Sequence, residues 1–557
     1  MSQAARPCLL VLLWLLLAAC SNEPSSVLLI TLDTTRADRF GFAGREDSGT
    51  PVLDALAARG VAFDQAYTVA PITLPSHTSI LTGTYPLYHG VRDNRRYRAS
   101  PELDTLAEVL SEDGFQTGAF IGAFPLSEQF GLAQGFDTYD DETRSDEFNP
   151  TDFHFPERPA EGVVDAALEW MGSLDEDDRF FAWVHLFDAH ADYQAPAPYG
   201  ETFAEDPYQG EIAYMDAQIG RLIDELETSG RLEDTLIVVV GDHGEGLGEH
   251  GESTHTVFVY NSTMRVPLIV AGPGVPEGRR IRATCSVVDV LPTITEAIGV
   301  KAPKATQGTS LSALWESSSP ESRAVFLESK VPELIYGWSP LESVVVGDRK
   351  LIRATAAGAS QLYDPLADPS EEKDLAAVEP QRVEALEKQL ERMRALITPA
   401  RSLDAHADVS AAGLEKLRQL GYLSEVTVDP SEAGRDPHSA VEVLTGIERV
   451  MSLLGRRKFR RALALLDQLD PLDPDGARLL ELRGICAREL GRLDRDYYDM
   501  AIQALTESLK RNPGSMTGWL TLAEIHQELG NYEEAKQCRQ EAFRSSTKRP
   551  EKAPDVK

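Results

Sequence analysis

Five short runs of consecutive apolar residues punctuate the first half of the chain: SSVLLITLD (25–33), FQTGAFIGAF (115–124), RFFAWVHLFD (179–188), DTLIVVVGD (234–242) and VPLIVAG (266–272). Between them lie stretches whose apolar residues recur with a helical period, such as TPVLDALAARG (50–60) and AYMDAQIGRLIDELETSG (213–230). Continuous apolar runs suit strands buried on both faces, and amphipathic stretches suit the helices that cover them. The alternation predicts an α/β fold built on a doubly wound, mostly parallel sheet. A further stretch, APITLPSHTSILTG (70–83), reads as a loop entering a helix near Ser76, with Gly83 as its stop.

The pattern changes near residue 400. AAGLEKLRQLGYLSE (411–425) reads as a helical tail, and VTVDPSEAGRDPHS (426–439) as a linker rich in turn formers. Beyond it, three segments share an aromatic-x-x-Ala spacing that ends on Ala462, Ala501 and Ala535, at intervals of 39 and 34 residues. Pro474 and Pro513 each follow their alanine by twelve positions, and Trp519, Leu522, Ala523 and Ala542 complete the pattern. This resembles two to three tetratricopeptide repeats, which stack helix pairs into a surface that binds protein or peptide; a plain helical cap is the other reading. The expected organisation is a signal segment at 1–20, a tether at 21–26, a catalytic domain at 27–400 with a small C-terminal sheet subdomain, a helix and linker at 401–440, helical repeats at 441–546 and a disordered tail at 547–557.

Charge and composition narrow the function. The chain has 557 residues and a net charge of −35, with 34 basic against 70 acidic residues before position 441 and a near balance of 20 to 19 after it. So acidic a body repels phosphate backbones, which argues against nucleic acid as a partner. The N-terminal ARPCLLVLLWLLLAAC places one positive charge before an apolar run and small residues before Cys20. LAAC resembles the lipobox of bacterial lipoproteins. That resemblance implies lipidation of Cys20 and anchoring in the cell envelope, at the outer membrane because Ser21 is not aspartate; an ordinary secretory signal is the alternative. Cys285, Cys486 and Cys538 form no CxxC pair, and a domain of this size does not need a disulfide framework.

In parallel sheets ligands collect beyond the carboxyl ends of the strands, and there the sequence places chemistry. Asp33 ends the first run, Asp188 the third with His190 close behind, and Asp242 and His243 the fourth. One such aspartate has an ordinary reading as a helix N-cap. Three strand ends together suggest a site for a divalent cation, zinc above all, with calcium, magnesium or manganese as alternatives. Thr73 stands at the entrance of a helix, either as a plain cap or as a hydroxyl that a bound cation makes reactive.

Two branches of one superfamily are visible in these residues. DTTRAD (33–38), DHGEGLGEHG (242–251), RVPLIVAGPG (265–274) and RKLIRATAAGASQLYDPLADPSEEKDL (349–375) resemble the sulfatase family of the alkaline phosphatase superfamily. TLPSHTSILTGTYPLYHGVRDNRRY (73–97) is similar instead to the nucleophile region of nucleotide pyrophosphatase/phosphodiesterases, which use a threonine. Sulfatases carry Cys/Ser-x-Pro-x-Arg where this chain has Thr73-Leu74-Pro75-Ser76-His77, and oxidation of a threonine gives a ketone rather than the formyl group of their chemistry. The resemblance therefore implies hydrolysis of phosphate mono- or diesters, or of sulfate or phosphonate esters, with Thr73 as a nucleophile needing no maturation and Asn94 assisting on a non-bridging oxygen. It further implies two ions, one held by Asp33, Thr73, Asp242 and His243, the other by Asp188, His190 and His255. His185 rivals His190, and a single-ion site is the alternative. Arg92 and Arg95, beside Asn94, are expected to position the small anionic substrate, or else belong to a solvated loop. A reading of another class, a non-catalytic scaffold for the repeats, lacks the degenerate site it would need.

Overall fold

A computed structural model describes residues 23–94, 97–142, 158–317, 320–397, 405, 434–474 and 476–547. Cys20, Arg95, most of the 401–440 segment and the tail from 548 lie outside the described residues. In chain order the strands are β1 (Ser26–Leu32), β2 (Val61–Phe63), β3 (Ala66–Tyr67), β4 (Gln116–Ile121), β5 (Thr138–Asp140), β6 (Phe180–Leu186), β7 (Thr235–Gly241), β8 (Leu268–Ala271), β9 (Arg279–Ile281) and β10 (Cys285–Ser286). Four more, β11 (Val325–Ser329), β12 (Leu341–Val346), β13 (Arg349–Ala354) and β14 (Ala359–Tyr363), form a separate antiparallel sheet. The main sheet runs β5-β4-β6-β1-β7-β8-β2-β9. Its strands pair in parallel except β8, which is antiparallel to both β7 and β2.

The apolar runs are strands because both of their faces are covered. Every residue of β1, β6 and β7 is buried. Along β1, Val27 and Leu29 pack with Trp183, Val238 and Val240 on one side of the sheet, while Leu28, Ile30 and Leu32 pack with Val184 and Val239 on the other. Each side chain so buried contributes about 1.5–3 kcal/mol. The second face is covered by α1 (Pro51–Arg59), α3 (Ala160–Gly172) and α4 (Pro207–Thr228), which supply Leu53, Val163, Ile212, Ile219 and Leu222. The first is covered in part by α2 (Thr73–Thr82), through Leu74, Ile80 and Leu81. Helix α2 starts three residues earlier than expected, so Thr73 lies in its first turn and Ile72 takes the extended cap position. Gly83 ends it at φ +64, its N–H donating to the Ser79 carbonyl at 2.9 Å, a conformation that favours glycine.

Strand register decides which side chains reach the site. Leu32 stands opposite Leu186 on one side and Gly241 on the other. The ladder continues through Asp33 N–H to the Leu186 carbonyl and Asp242 N–H to the Leu32 carbonyl. Asp33, Phe187 and Asp242 therefore share one level and one face. Asp188 is one residue further along, and a single step in a strand reverses the face. Its carboxylate points to the α3 side, where both oxygens accept the Ala160 N–H, at 3.1 and 2.8 Å, at the start of that helix. The expectation that Asp188 joins a cation site is corrected: its carboxylate is engaged by the first N–H of α3, reached across the fold. His185, paired with Thr31, occupies the Asp33 face instead.

The small sheet, flanked by α5 (Pro380–Ile397), meets the main body at a buried ion pair whose Glu371 reaches Asn261. Lys350 Nζ on β13 lies 2.9 Å from Glu371 Oε1, and Glu371 Oε2 accepts the Asn261 N–H at 2.6 Å; Lys350 and Glu371 are both fully buried. Helices α6 (Val441–Gly455), α7 (Phe459–Leu469), α8 (Ala477–Gly491), α9 (Asp496–Arg511), α10 (Met516–Glu528) and α11 (Tyr532–Thr547) follow as three pairs. Ala462, Ala501 and Ala535 are buried between their helices, because only a small side chain lets two helices approach so closely. Cys285, Cys486 and Cys538 are free thiols. Among the described residues no helix is long and apolar enough to cross a membrane.

Two substitutions test this account. Lys350→Met leaves the Glu371 charge buried and should cost about 3–5 kcal/mol in urea unfolding, most of it recovered in Lys350→Met/Glu371→Leu. Asp188→Ala should lower stability by about 0.5–2 kcal/mol, as for a lost cap, and leave bound divalent cation unchanged when the metal content is measured.

Candidate active site

Asp33 and Asp242 meet at the carboxyl end of the sheet because β1 and β7 are neighbours in register. With His243 they form a fully buried group whose ligand-type atoms all lie within 4.8 Å of one another. The Asp242 Oδ1 atom accepts the backbone N–H of Thr34 at 3.1 Å and of His243 at 2.6 Å. Among the described residues Asp242 Oδ2 and both oxygens of Asp33 have no partner of good hydrogen-bond geometry, although the Thr73 hydroxyl lies close enough to Asp33 to favour its charged form. Buried carboxylate oxygens are ordinarily satisfied, so three such atoms facing one another mark a place for a cation. Burial pushes the Asp33 carboxyl up to about 8, with Glu245 acting in the same direction against His255. Burial, followed by the neighbouring Asp33, also raises Asp242. A divalent ion held by these residues removes both penalties, and the donor set fits one.

The imidazoles around the carboxylates are oriented by backbone. His243 Nδ1 lies 3.0 Å from the Gly244 carbonyl, which presents Nε2 toward the cluster, 3.5 Å from Asp242 Oδ2 and 3.5 Å from Thr73 Oγ1. Burial, then His255, keeps His243 neutral. His77 replaces the arginine of the sulfatase pattern; its Nδ1 lies 2.9 Å from the Thr73 carbonyl and 3.6 Å from Asp242 Oδ2. His185 Nε2 lies 3.4 Å from Asp33 Oδ2, and its Nδ1 is 3.0 Å from Thr31 Oγ1, which the Trp183 indole in turn bonds at 3.0 Å. Burial lowers His185 to about 3.

Thr73 and Asn94 are brought together as expected. Asn94 Oδ1 accepts the Leu74 N–H at 2.7 Å. An N–H is met only by the amide oxygen, so the orientation of that amide is fixed and its NH₂ is left buried without a partner. This helix end has few donors to offer: Pro75 lacks an N–H and that of Leu74 is taken, which leaves the Thr73 N–H and the Asn94 amide for a ligand. Ser76 secures the turn, donating to the Asp242 carbonyl at 2.6 Å.

Of the second expected cation set, His190 and His255 assemble and Asp188 does not. The His255 ring lies 4.4 Å from that of His243 and 5.4 Å from that of His190. His190 stacks on Phe187 at 4.5 Å, with Nδ1 2.9 Å from the Ala191 carbonyl. Where a third ligand was expected from Asp188, the buried Glu245 stands, its Oε1 3.2 Å from His255 Nδ1. Burial opposes charge on His255, but Glu245 and then Asp33 raise its pKa above the ordinary value. Sequence reasoning passed over Glu245, although it sits within DHGEGLGEHG, because it lies in a loop beyond the strand end. Arg92 is not free for substrate: its guanidinium pairs with the buried Glu328 of β11.

Comparison with known proteins bears on the family and the fold. A family profile described as Sulfatase matches residues 25–300, and one described as N-sulphoglucosamine sulphohydrolase, C-terminal, matches 248–397. A tetratricopeptide repeat profile matches 447–497. The ulvan-active sulfatase of Formosa agariphila is 27% identical over 397 residues, covering 64% of this chain and 77% of the relative. Human arylsulfatase A is 27% identical over 490 residues, covering 76% and 92%. In fold, the chain is similar to the phosphonate monoester hydrolase of Agrobacterium radiobacter, with a TM-score of 0.57 and 21% identity over 67% of this chain and 96% of that one. The two sulfatase profiles together span residues 25–397, and the chain belongs to the sulfatase family as an ester hydrolase.

Proposed function

We propose that this protein hydrolyses phosphate or phosphonate esters with Thr73 as the attacking group, without maturation of that residue. The observation that carries the reading is the placement of the Thr73 hydroxyl against His243 at the edge of the orphaned Asp33–Asp242 pair. Asp33, Asp242 and His243, with Thr73 beside them, would hold a divalent cation, zinc by preference for the His/Asp donor set, and such an ion would supply the positive charge that lowers the pKa of the hydroxyl. The Thr73 hydroxyl releases its proton to water. Thr73 Oγ then forms the bond to the central atom as the bond to the leaving oxygen breaks. The unpartnered Asn94 amide and the Thr73 N–H stabilise charge on the non-bridging oxygens. His255, whose pKa lies above the ordinary value because Glu245 outweighs burial, gives a proton to the leaving oxygen. In the second step His255 takes a proton from water as the water oxygen bonds to the central atom and the bond to Thr73 Oγ breaks, and Thr73 regains from solvent the proton it released in the first step.

Sulfate esters are the second reading, favoured by the sulfatases among the relatives. Against them stands the side chain itself. A threonine sulfate must be released by attack at sulfur, with no aldehyde hydrate to expel it. The lipobox-like LAAC supports a chain anchored in the bacterial envelope through Cys20, with the repeats offered to a protein or peptide partner.

Two outcomes are expected. Thr73→Ala should lower kcat on nitrophenyl phosphate and bis-nitrophenyl phosphate by about a thousandfold or more while retaining bound metal; dominant sulfate-ester turnover that survives the substitution contradicts the proposal. Removal of metal with a chelator should abolish turnover and zinc should restore it, whereas a fully active chelated enzyme, or metal binding without turnover of any ester, contradicts it.

A further inference from the structure

The loop that joins β7 to β8 has two working faces. Its inner face presents Glu245 and His255 to the site. Its outer face lies against the helical repeats. Thr445 Oγ1 of α6 shares its one proton between the Val441 carbonyl at 2.9 Å and the Gly251 carbonyl at 3.1 Å, and Ser253 Oγ donates to Glu448 Oε2 at 2.6 Å. The His438 ring, in the turn before α6, stacks on Phe258 at 5.2 Å and 27°. A Cβ on Gly251, which has φ +81, would meet Val441 at 2.1 Å, so the two surfaces are in tight contact.

The loop does not hold this shape by local preference alone. Leu247, His250 and Thr256 have φ of +52, +53 and +109, values unfavourable for side-chain-bearing residues and most of all for a β-branched threonine. Thr256 directly follows His255. Such conformations persist only where the surroundings over-determine them. From within, the buried Glu252 carboxylate accepts the N–H groups of Val257 and Phe258 at 2.7 and 3.2 Å, and Ser329 Oγ donates to the Thr256 carbonyl at 2.7 Å. From outside, the constraint is the repeat domain.

We infer that His438, Val441 and Glu448 are positioning residues: the repeat domain forms the back wall of the active site and holds the His255–Glu245 pair in place. The inference rests on the reading that His255 acts on the substrate. It makes the repeats a part of the enzyme in addition to any partner they bind.

The test uses the full chain with nitrophenyl phosphate. His438→Ala and Gly251→Ala should each lower kcat by about tenfold to a hundredfold, the scale of a slightly misplaced catalytic group, with KM and bound metal unchanged. His438→Phe, which keeps the stacking, should restore kcat. Tyr498→Phe, which removes the bond from Tyr498 Oη to Glu528 Oε2 at 2.6 Å within the repeats, should leave kcat unchanged. Should His438→Ala fail to fold, the surface pair Ser253→Ala/Glu448→Gln is read in its place and should show the same kcat loss. Wild-type kcat in the interface variants, or an equal loss in Tyr498→Phe, overturns the inference. His255→Ala separates the two levels. If it stays active, the reading of His255 falls and the inference with it; if it is inactive while His438→Ala is fully active, only the positioning claim falls.

Discussion

Two carboxylates, Asp33 and Asp242, are fully buried at the end of adjacent parallel strands, and among the described residues three of their four oxygens lack a partner of good hydrogen-bond geometry. Burying a charge without compensation is costly, and here two like charges share one site. Much of the surrounding structure can be understood as a response to that condition. Backbone N–H groups of Thr34 and His243 reach Asp242 Oδ1; His77, His185 and His243 are oriented with ring nitrogens toward the pair; Thr73 is seated in the first turn of a helix beside them. The arrangement holds a poised electrostatic demand that a divalent ion meets, and it is the same demand that gives the threonine hydroxyl a reason to be there.

The sheet was legible in the sequence because its strands are buried on both faces and so read as continuous apolar runs. The carboxyl-end rule then led correctly to Asp33, Asp242 and His243, which the structure brings together. It failed at Asp188 for a definite reason. The rule names the end of a strand but not the face, and an aspartate one residue past the level of Asp33 faces the opposite layer. Aligning the three runs by their last paired residues, Leu32, Leu186 and Gly241, favours His185 over Asp188 by period-two alternation alone. Glu245 was hidden for another reason: loop residues carry no periodicity, and its place beside His255 depends on a loop whose strained turns no propensity predicts. Arg92 looked like a substrate clamp in sequence because its partner, Glu328, is more than two hundred residues away.

The placement of Thr73 also bears on how one fold serves different esters. The sulfatase-like scaffold supplies the strand ends and the small C-terminal sheet. In the proposed reading the loop at 73–97 supplies a hydroxyl that is used as translated, with His77 where the sulfatase pattern has arginine. On this account the change of nucleophile alters how the covalent adduct is released rather than where the substrate sits. In the proposed reading Asn94, fixed by the Leu74 N–H, and His255, paired with Glu245, are then the groups that act on whichever ester enters.

The most direct measurement is to quench turnover of a phosphate ester in acid, digest the protein and locate any covalent adduct by mass spectrometry. The account predicts one phosphoryl group on the peptide that contains TLPSH, mapped to Thr73. A turning-over enzyme with no adduct on that peptide, or with the adduct on another residue, would contradict it.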